Sequence, residues 1–77
     1  MEIKETISEK DFVEYIYKYL YTLNQGVQGK ENKGFLLWFE HAVEAFIRMG
    51  FDFMLLSEKT LDNIRRDFML AKKGKMP

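Results

Sequence analysis

Residues 9–24 form the first periodic stretch of the chain, with apolar side chains at helical spacing. At about 100° per residue these side chains fall on one side of a helix, and charged residues fall on the other side. The apolar positions are Phe12, Val13, Ile16, Leu20 and Leu23. Ser8 precedes them and is suited to accept from the free backbone N–H groups of a helix start. The pattern predicts a first helix over residues 9–24.

A second periodicity runs through the same stretch. Tyr15, Tyr17, Tyr19 and Tyr21 alternate strictly with other residues, and aromatic residues at a period of two are typical of a half-buried strand. A strand over residues 12–23 is therefore the alternative to the first helix.

Residues 34–49 form the most apolar stretch, and their apolar positions cover an arc of about 200° on a helical projection. So wide an arc predicts a central helix with neighbours on two sides. Gly50 follows it, and a glycine in left-handed conformation commonly ends a helix. The sequence therefore predicts a second helix over residues 34–49 that ends at Gly50.

The stretch from Phe51 to Leu56 is apolar except for Asp52, which predicts a buried connector with a short helical turn near residues 53–56. Ser57 is a candidate N-cap for a third helix over residues 58–72. Its narrow apolar stripe comprises Leu61, Ile64, Phe68 and Ala71. Together the segments predict an all-α, three-helix bundle in a single domain over residues 1–77, with frayed ends at 1–7 and 74–77.

Composition and charge narrow the class of protein. The chain has 77 residues, of which 47% are hydrophobic and 16% aromatic, and 12 basic residues balance 12 acidic ones. The absence of cysteine excludes disulfides and thiolate metal sites. Its apolar runs are far shorter than the ~20 residues of a membrane span, and its charged start differs from a signal peptide. We expect a cytoplasmic protein that does not enter membranes.

Residues with catalytic or ligand chemistry are few. Glu40, His41 and Glu44 lie within one turn of the second helix, and the pattern favours a solvated face on which Glu44 pairs with Arg48. The loop glycines lack the spacing of a phosphate-binding motif. We therefore expect no enzyme activity, cofactor or metal.

The tyrosines give the chain more apolar surface than a three-helix monomer is expected to hide. Tyrosine combines an apolar ring with a hydroxyl that tolerates water, and it is enriched at protein interfaces. The predicted contact surface comprises Tyr15, Tyr17, Tyr19, Tyr21, Leu37, Met69 and Leu70. Among these, Leu70 lies opposite the apolar stripe of the third helix, where a monomer would expose it.

These features predict a small non-enzymatic protein that binds a larger protein as a regulator, inhibitor or adaptor and associates with itself as a homodimer. Its size is typical of accessory factors of phages and mobile elements. The alternative is a helix-turn-helix-like DNA-binding regulator that uses residues 57–75. Its candidate contacts are Lys59, Asn63, Arg65, Arg66 and Lys73. A net charge of zero makes nucleic acid the less favoured partner, since phosphate neutralisation supplies most non-specific affinity.

Overall fold

The computed structural model describes residues 8–77, which form three α-helices. They are α1 (Glu9–Gln28), α2 (Lys33–Asp52) and α3 (Glu58–Lys72). This arrangement confirms the predicted all-α, three-helix bundle. It also excludes the strand alternative, because residues 12–23 lie inside α1.

A side-chain oxygen caps the start of each helix. The Ser8 hydroxyl accepts from the backbone N–H of Asp11 at 3.1 Å. Asn32 Oδ1 accepts from the backbone N–H of Gly34 at 2.7 Å. Ser57 Oγ accepts from the backbone N–H of Thr60 at 3.3 Å. These bonds satisfy N–H groups that have no partner within the helix, so the caps fix where each helix begins.

The core lies between the three helices. Its buried apolar residues are Ile16, Leu20, Leu23, Val43, Ile47, Leu56, Leu61, Ile64, Phe68, Ala71 and Met76. The first helix packs against both others, and the contact between α2 and α3 is the smallest of the three. The central helix is therefore α1, whereas the sequence predicts α2, because only one side of the wide apolar arc of α2 faces the core.

Two helices are longer than predicted, since α1 continues to Gln28 and α2 to Asp52. Gly50 lies inside α2 and is buried, so the prediction that it ends the helix is wrong. A Cβ atom on Gly50 would lie 2.4 Å from Leu56 Cδ1. The missing side chain allows the returning chain to approach α2 closely.

The connector between α2 and α3 is mostly exposed, contrary to the prediction. Only Leu56 is buried, at 7% exposure. The backbone N–H groups of Leu55 and Leu56 donate to the carbonyl oxygen of Gly50, at 2.9 and 3.3 Å. Met54 has a φ angle of 55°, and residues 53–54 form a turn rather than a separate short helix. This fold-back inserts Leu56 into the core and leaves the preceding side chains outside.

The chain after α3 is held against α1. The side-chain amide of Gln28 donates to the carbonyl oxygen of Gly74 at 2.9 Å. The backbone N–H of Met76 donates to Asn24 Oδ1 at 3.0 Å, and the Met76 side chain is buried. These contacts join residues 74 and 76 to α1, and the fraying at 74–77 stays a prediction. The predicted fraying at 1–7 lies outside the described residues.

Candidate interaction surface

Aromatic side chains from α1 and α2 form a continuous cluster between the two helices. It comprises Phe12, Tyr15, Tyr19, Phe35, Trp38, Phe39 and Phe46. Tyr19 lies at its centre, with its ring centroid 5.1 Å from Phe46, 5.3 Å from Tyr15, 5.5 Å from Phe39 and 6.1 Å from Trp38. These are the separations at which aromatic rings attract each other. The cluster joins α1 to α2 and has an exposed edge.

The exposed edge of the cluster includes Tyr15, which is 46% exposed. Its hydroxyl lies 3.4 Å from the hydroxyl of Tyr19. This hydrogen bond, with some burial, raises the pKa of Tyr19 above its ordinary value.

A row of apolar residues runs along the solvent side of α2. We name it the α2 seam, and it comprises Phe35, Trp38, Ala42, Ala45 and Met49. Trp38 is 58% exposed, Phe35 42% and Met49 39%. The centre of the seam lies about 140° around the helix from the buried positions Val43 and Ile47. It therefore uses the part of the apolar arc that the core of the bundle leaves uncovered.

The end of α2 and the following turn carry the most exposed apolar side chains of residues 8–77. We name this feature the apolar tip, and it comprises Phe51, Phe53, Met54 and Leu55. Met54 is 88% exposed, Phe53 70%, Phe51 60% and Leu55 40%. The tip follows the seam along the chain, so apolar surface extends from the aromatic cluster to the end of α2.

Few charges border this surface. Arg48 Nε lies 3.0 Å from Asp52 Oδ2, and this ion pair replaces the predicted pair of Glu44 with Arg48. Both side chains are largely exposed, so the pair adds little to stability. The Asp52 carboxylate nevertheless balances the positive charge of Arg48, the basic side chain next to the seam and the tip.

Tyr17 and Tyr21 lie on a different side of α1. The Tyr17 hydroxyl donates a hydrogen bond to Asp67 Oδ2 of α3. Burial, followed by this hydrogen bond, raises the pKa of Tyr17 above its ordinary value. Tyr21 is 49% exposed, with its ring 6.1 Å from that of Tyr17. Tyr17 thus connects α1 to α3, and its hydroxyl is already occupied.

The remaining predicted contact residues are dispersed. Leu37 and Met69 are exposed, at 49% and 53%, on α2 and α3 respectively. Leu70 is half-buried and packs against the core, which corrects the prediction that a monomer exposes it. Of the predicted set, the structure brings Tyr15 and Tyr19 to the surface described above.

Sequence reasoning missed the residues that form most of this surface. The sequence predicts a central helix covered on two sides and a buried connector, so Trp38, Met49 and Met54 are expected inside the protein. The signal that could have found them is the width of the arc on α2. An arc of about 200° exceeds what one packed side of a helix buries.

The predicted nucleic-acid contacts lie on or beside the outer side of α3. Lys59, Arg65, Arg66 and Lys73 are exposed, and Asn63 is half-buried. Helical spacing places Asp62 and Met69 among Lys59, Arg66 and Lys73, so this face carries both signs of charge. Arg66 pairs with Asp67, with Nε 3.5 Å from Oδ1.

Within residues 8–77, no three metal-ligating side chains come together. His41 is exposed on α2. A shallow groove of about 420 Å³ between α2 and α3 is lined by Glu44, Ile47, Arg48, Phe51 and Arg65. Of the helices described, none is long and apolar enough to cross a membrane.

No protein family, curated protein or solved structure matches the chain. The features that stand out on its surface are the α2 seam, the adjoining edge of the aromatic cluster and the apolar tip. Apolar patches of this kind mark sites of contact with other molecules in soluble proteins.

Proposed function

We propose that this chain is a small non-enzymatic protein that binds a larger protein as a regulator, inhibitor or adaptor. The observation that carries the proposal is the apolar tip, in which Met54 is 88% and Phe53 70% exposed. Large apolar side chains at such exposure are unfavourable in water and favourable in the pocket of a partner. Methionine suits this position because its flexible thioether adapts to irregular apolar surfaces.

The tip is held in place before any partner binds. The backbone N–H of Phe53 donates to the carbonyl oxygen of Met49 at 3.0 Å, and that of Leu55 donates to the carbonyl oxygen of Gly50 at 2.9 Å. Between them, Met54 has the left-handed φ of 55°, which is strained for a residue with a side chain. A fixed tip loses little conformational entropy on docking, which favours affinity.

The charges around the tip favour a protein partner over an anionic surface. The nearest charged residues along the chain are Arg48, Asp52, Glu58 and Lys59, with two of each sign. Membrane and nucleic-acid surfaces are attractive mainly to clusters of basic residues. The partner that fits is a protein with an apolar pocket.

Site-specific photo-crosslinking in the native cell tests this proposal. A photo-reactive amino acid replaces Met54 in one variant and Met69, an exposed methionine on α3, in a matched control. We expect adducts heavier than two copies of the chain from position 54 only, and we expect Phe51→Ser to abolish them with unchanged helical circular dichroism. Equal adducts at both positions, or none at position 54, would contradict docking through the tip.

A further inference from the structure

The α2 seam has the spacing of a helix-pairing surface. Its residues are separated by three, four, three and four positions, from Phe35 to Met49. This alternation is the a/d repeat by which one helix packs along another. Within residues 8–77 this surface is only partly covered: Tyr19 of α1 stacks on Trp38 at 6.1 Å, yet Trp38 stays 58% and Met49 39% exposed.

Four residues of the seam, from Trp38 to Met49, are also symmetric about the point midway between Ala42 and Ala45, and Phe35 lies outside this symmetric segment. The two alanines lie equally far from that point, and so do the two large residues Trp38 and Met49. If a second copy of α2 runs antiparallel across a two-fold axis at this midpoint, Ala42 faces Ala45 of the second copy. Trp38 then faces Met49 of the second copy. The facing alanines allow the two helix axes to approach closely at the centre. The facing Trp38 and Met49 side chains fill the space between the helices at both ends of the contact.

The exposed area agrees with a small but specific interface. From the exposure of Phe35, Trp38, Met49 and the neighbouring Tyr15, one copy presents about 400 Å² of largely apolar surface. Two copies would bury about 800 Å², which is the size of a weak, transient interface. We therefore expect a reversible dimer that forms only at high protein concentration.

Charge does not oppose pairing. The seam contains no charged residue, and the whole chain has a formal net charge of zero, so two copies do not repel each other over distance. Arg48, which borders the seam, is paired with Asp52 at 3.0 Å.

From this spacing, symmetry, area and charge we infer that the α2 seam is the interface of a homodimer in which two α2 helices run antiparallel. The matched sizes of the facing residues, alanine with alanine at the centre and a large side chain with a large one at either end, favour a second copy. The inference stands independently of the apolar tip, because the tip lies beyond Met49 and outside the paired segment.

Sedimentation equilibrium with two glutamate variants on the same helix tests the interface. Ala45→Glu places a charge at the centre of the seam, and Leu37→Glu places one at an exposed site elsewhere on α2. Both sites are exposed, so neither change should unfold the chain. We expect Ala45→Glu to weaken dimerisation at least 100-fold and Leu37→Glu to change it less than threefold. A wild-type chain that stays monomeric at hundreds of micromolar, or equal effects of both variants, would overturn the inference.

Crosslinking tests the antiparallel orientation, and the cysteine-free chain allows single cysteines to be introduced. A bismaleimide with a span of about 8 Å should link two copies of Ala45→Cys, since these positions lie ~5 Å apart along the axis of an antiparallel pair. Two copies of Met49→Cys should not be linked, because they are ~16 Å apart along that axis. Efficient linkage of Met49→Cys would show a parallel pair and overturn the proposed arrangement. Failure of either dimer experiment leaves the crosslinks from the tip unaffected, so the two proposals fail separately.

Discussion

At the scale of single residues, the four alternating tyrosines have different roles because a helix turns each to a different neighbour. Tyr19 packs among aromatic rings of α2, whereas Tyr17 donates to Asp67 of α3. Tyr15 and Tyr21 keep about half of their surface in water, at 46% and 49% exposure. The sequence places all four on one helix, but hydrogen-bond partners on another helix cannot be read from spacing alone.

Replacing Tyr17 with Phe removes the hydroxyl that donates to the Asp67 carboxylate. A hydrogen bond to a charged, partly buried group predicts a loss of about 1–2 kcal/mol in the free energy of unfolding. Tyr21→Phe, the control, should change it by less than about 0.5 kcal/mol. Urea titration of both variants measures the difference. Equal stability of the two variants would show that the hydrogen bond contributes nothing.

Glu9 gives the fold a dependence on pH. Its Oε2 accepts from the backbone N–H of Ser57 at 2.7 Å, and this bond lowers the pKa of Glu9 below 4.5. The pKa is lower in the folded chain, so the stabilisation is present above the pKa of the unfolded chain. It is lost as the pH falls through the folded pKa.

The expected result is that Glu9→Gln is less stable than wild type at pH 7 and that the difference shrinks as the pH falls below about 4.5. Asp11→Asn is the control, because it changes a charge in the same first helical turn without touching Ser57. Urea unfolding from pH 3 to 7 measures both. A Glu9→Gln deficit that does not vary with pH would contradict this assignment.

At the scale of elements, caps and periodicity predict where the helices begin but not where they end. Ser8 and Ser57 cap α1 and α3 as the sequence predicts, and the predicted bounds of α3 are confirmed at residues 58–72. The ends of α1 and α2 are predicted too early because a glycine usually interrupts a helix. Here Gly26 and Gly50 are retained inside helices for close packing, and tertiary contacts of this kind are not visible in a sequence.

Gly50→Ala is therefore expected to destabilise the fold although alanine favours helix. The new Cβ would meet Leu56 Cδ1 at 2.4 Å and Cγ at 2.8 Å, and overpacking costs about 1–3 kcal/mol. In a Leu56→Ala background the clash is absent, and Gly50→Ala should then be neutral or stabilising by up to about 1 kcal/mol. Thermal unfolding of the four chains in this cycle measures the coupling. A stabilising effect in the wild-type background would contradict the clash.

At the scale of the whole molecule, the sequence predicts surplus apolar surface mainly on the tyrosines of α1, whereas the most exposed apolar side chains lie on α2 and the turn after it. The excess arises because a bundle of three helices covers only one side of each helix, and α2 is the helix with the widest apolar arc. The sequence predicts a contact surface on the tyrosines of α1 because tyrosine is common at protein interfaces. In the structure, Trp38 and Met54 are more exposed than any of these tyrosines. Which side of α2 faces the core depends on where α1 and α3 pack, and periodicity does not determine that.

The fluorescence of Trp38 tests most directly whether association covers this surface. Trp38 is the one tryptophan of the chain and is 58% exposed in a single copy. As the concentration rises through the micromolar range, we predict that its emission shifts to shorter wavelength and that acrylamide quenches it less. The Ala45→Glu variant should keep the spectrum of the dilute protein. Emission and quenching that do not change with concentration would contradict pairing through α2.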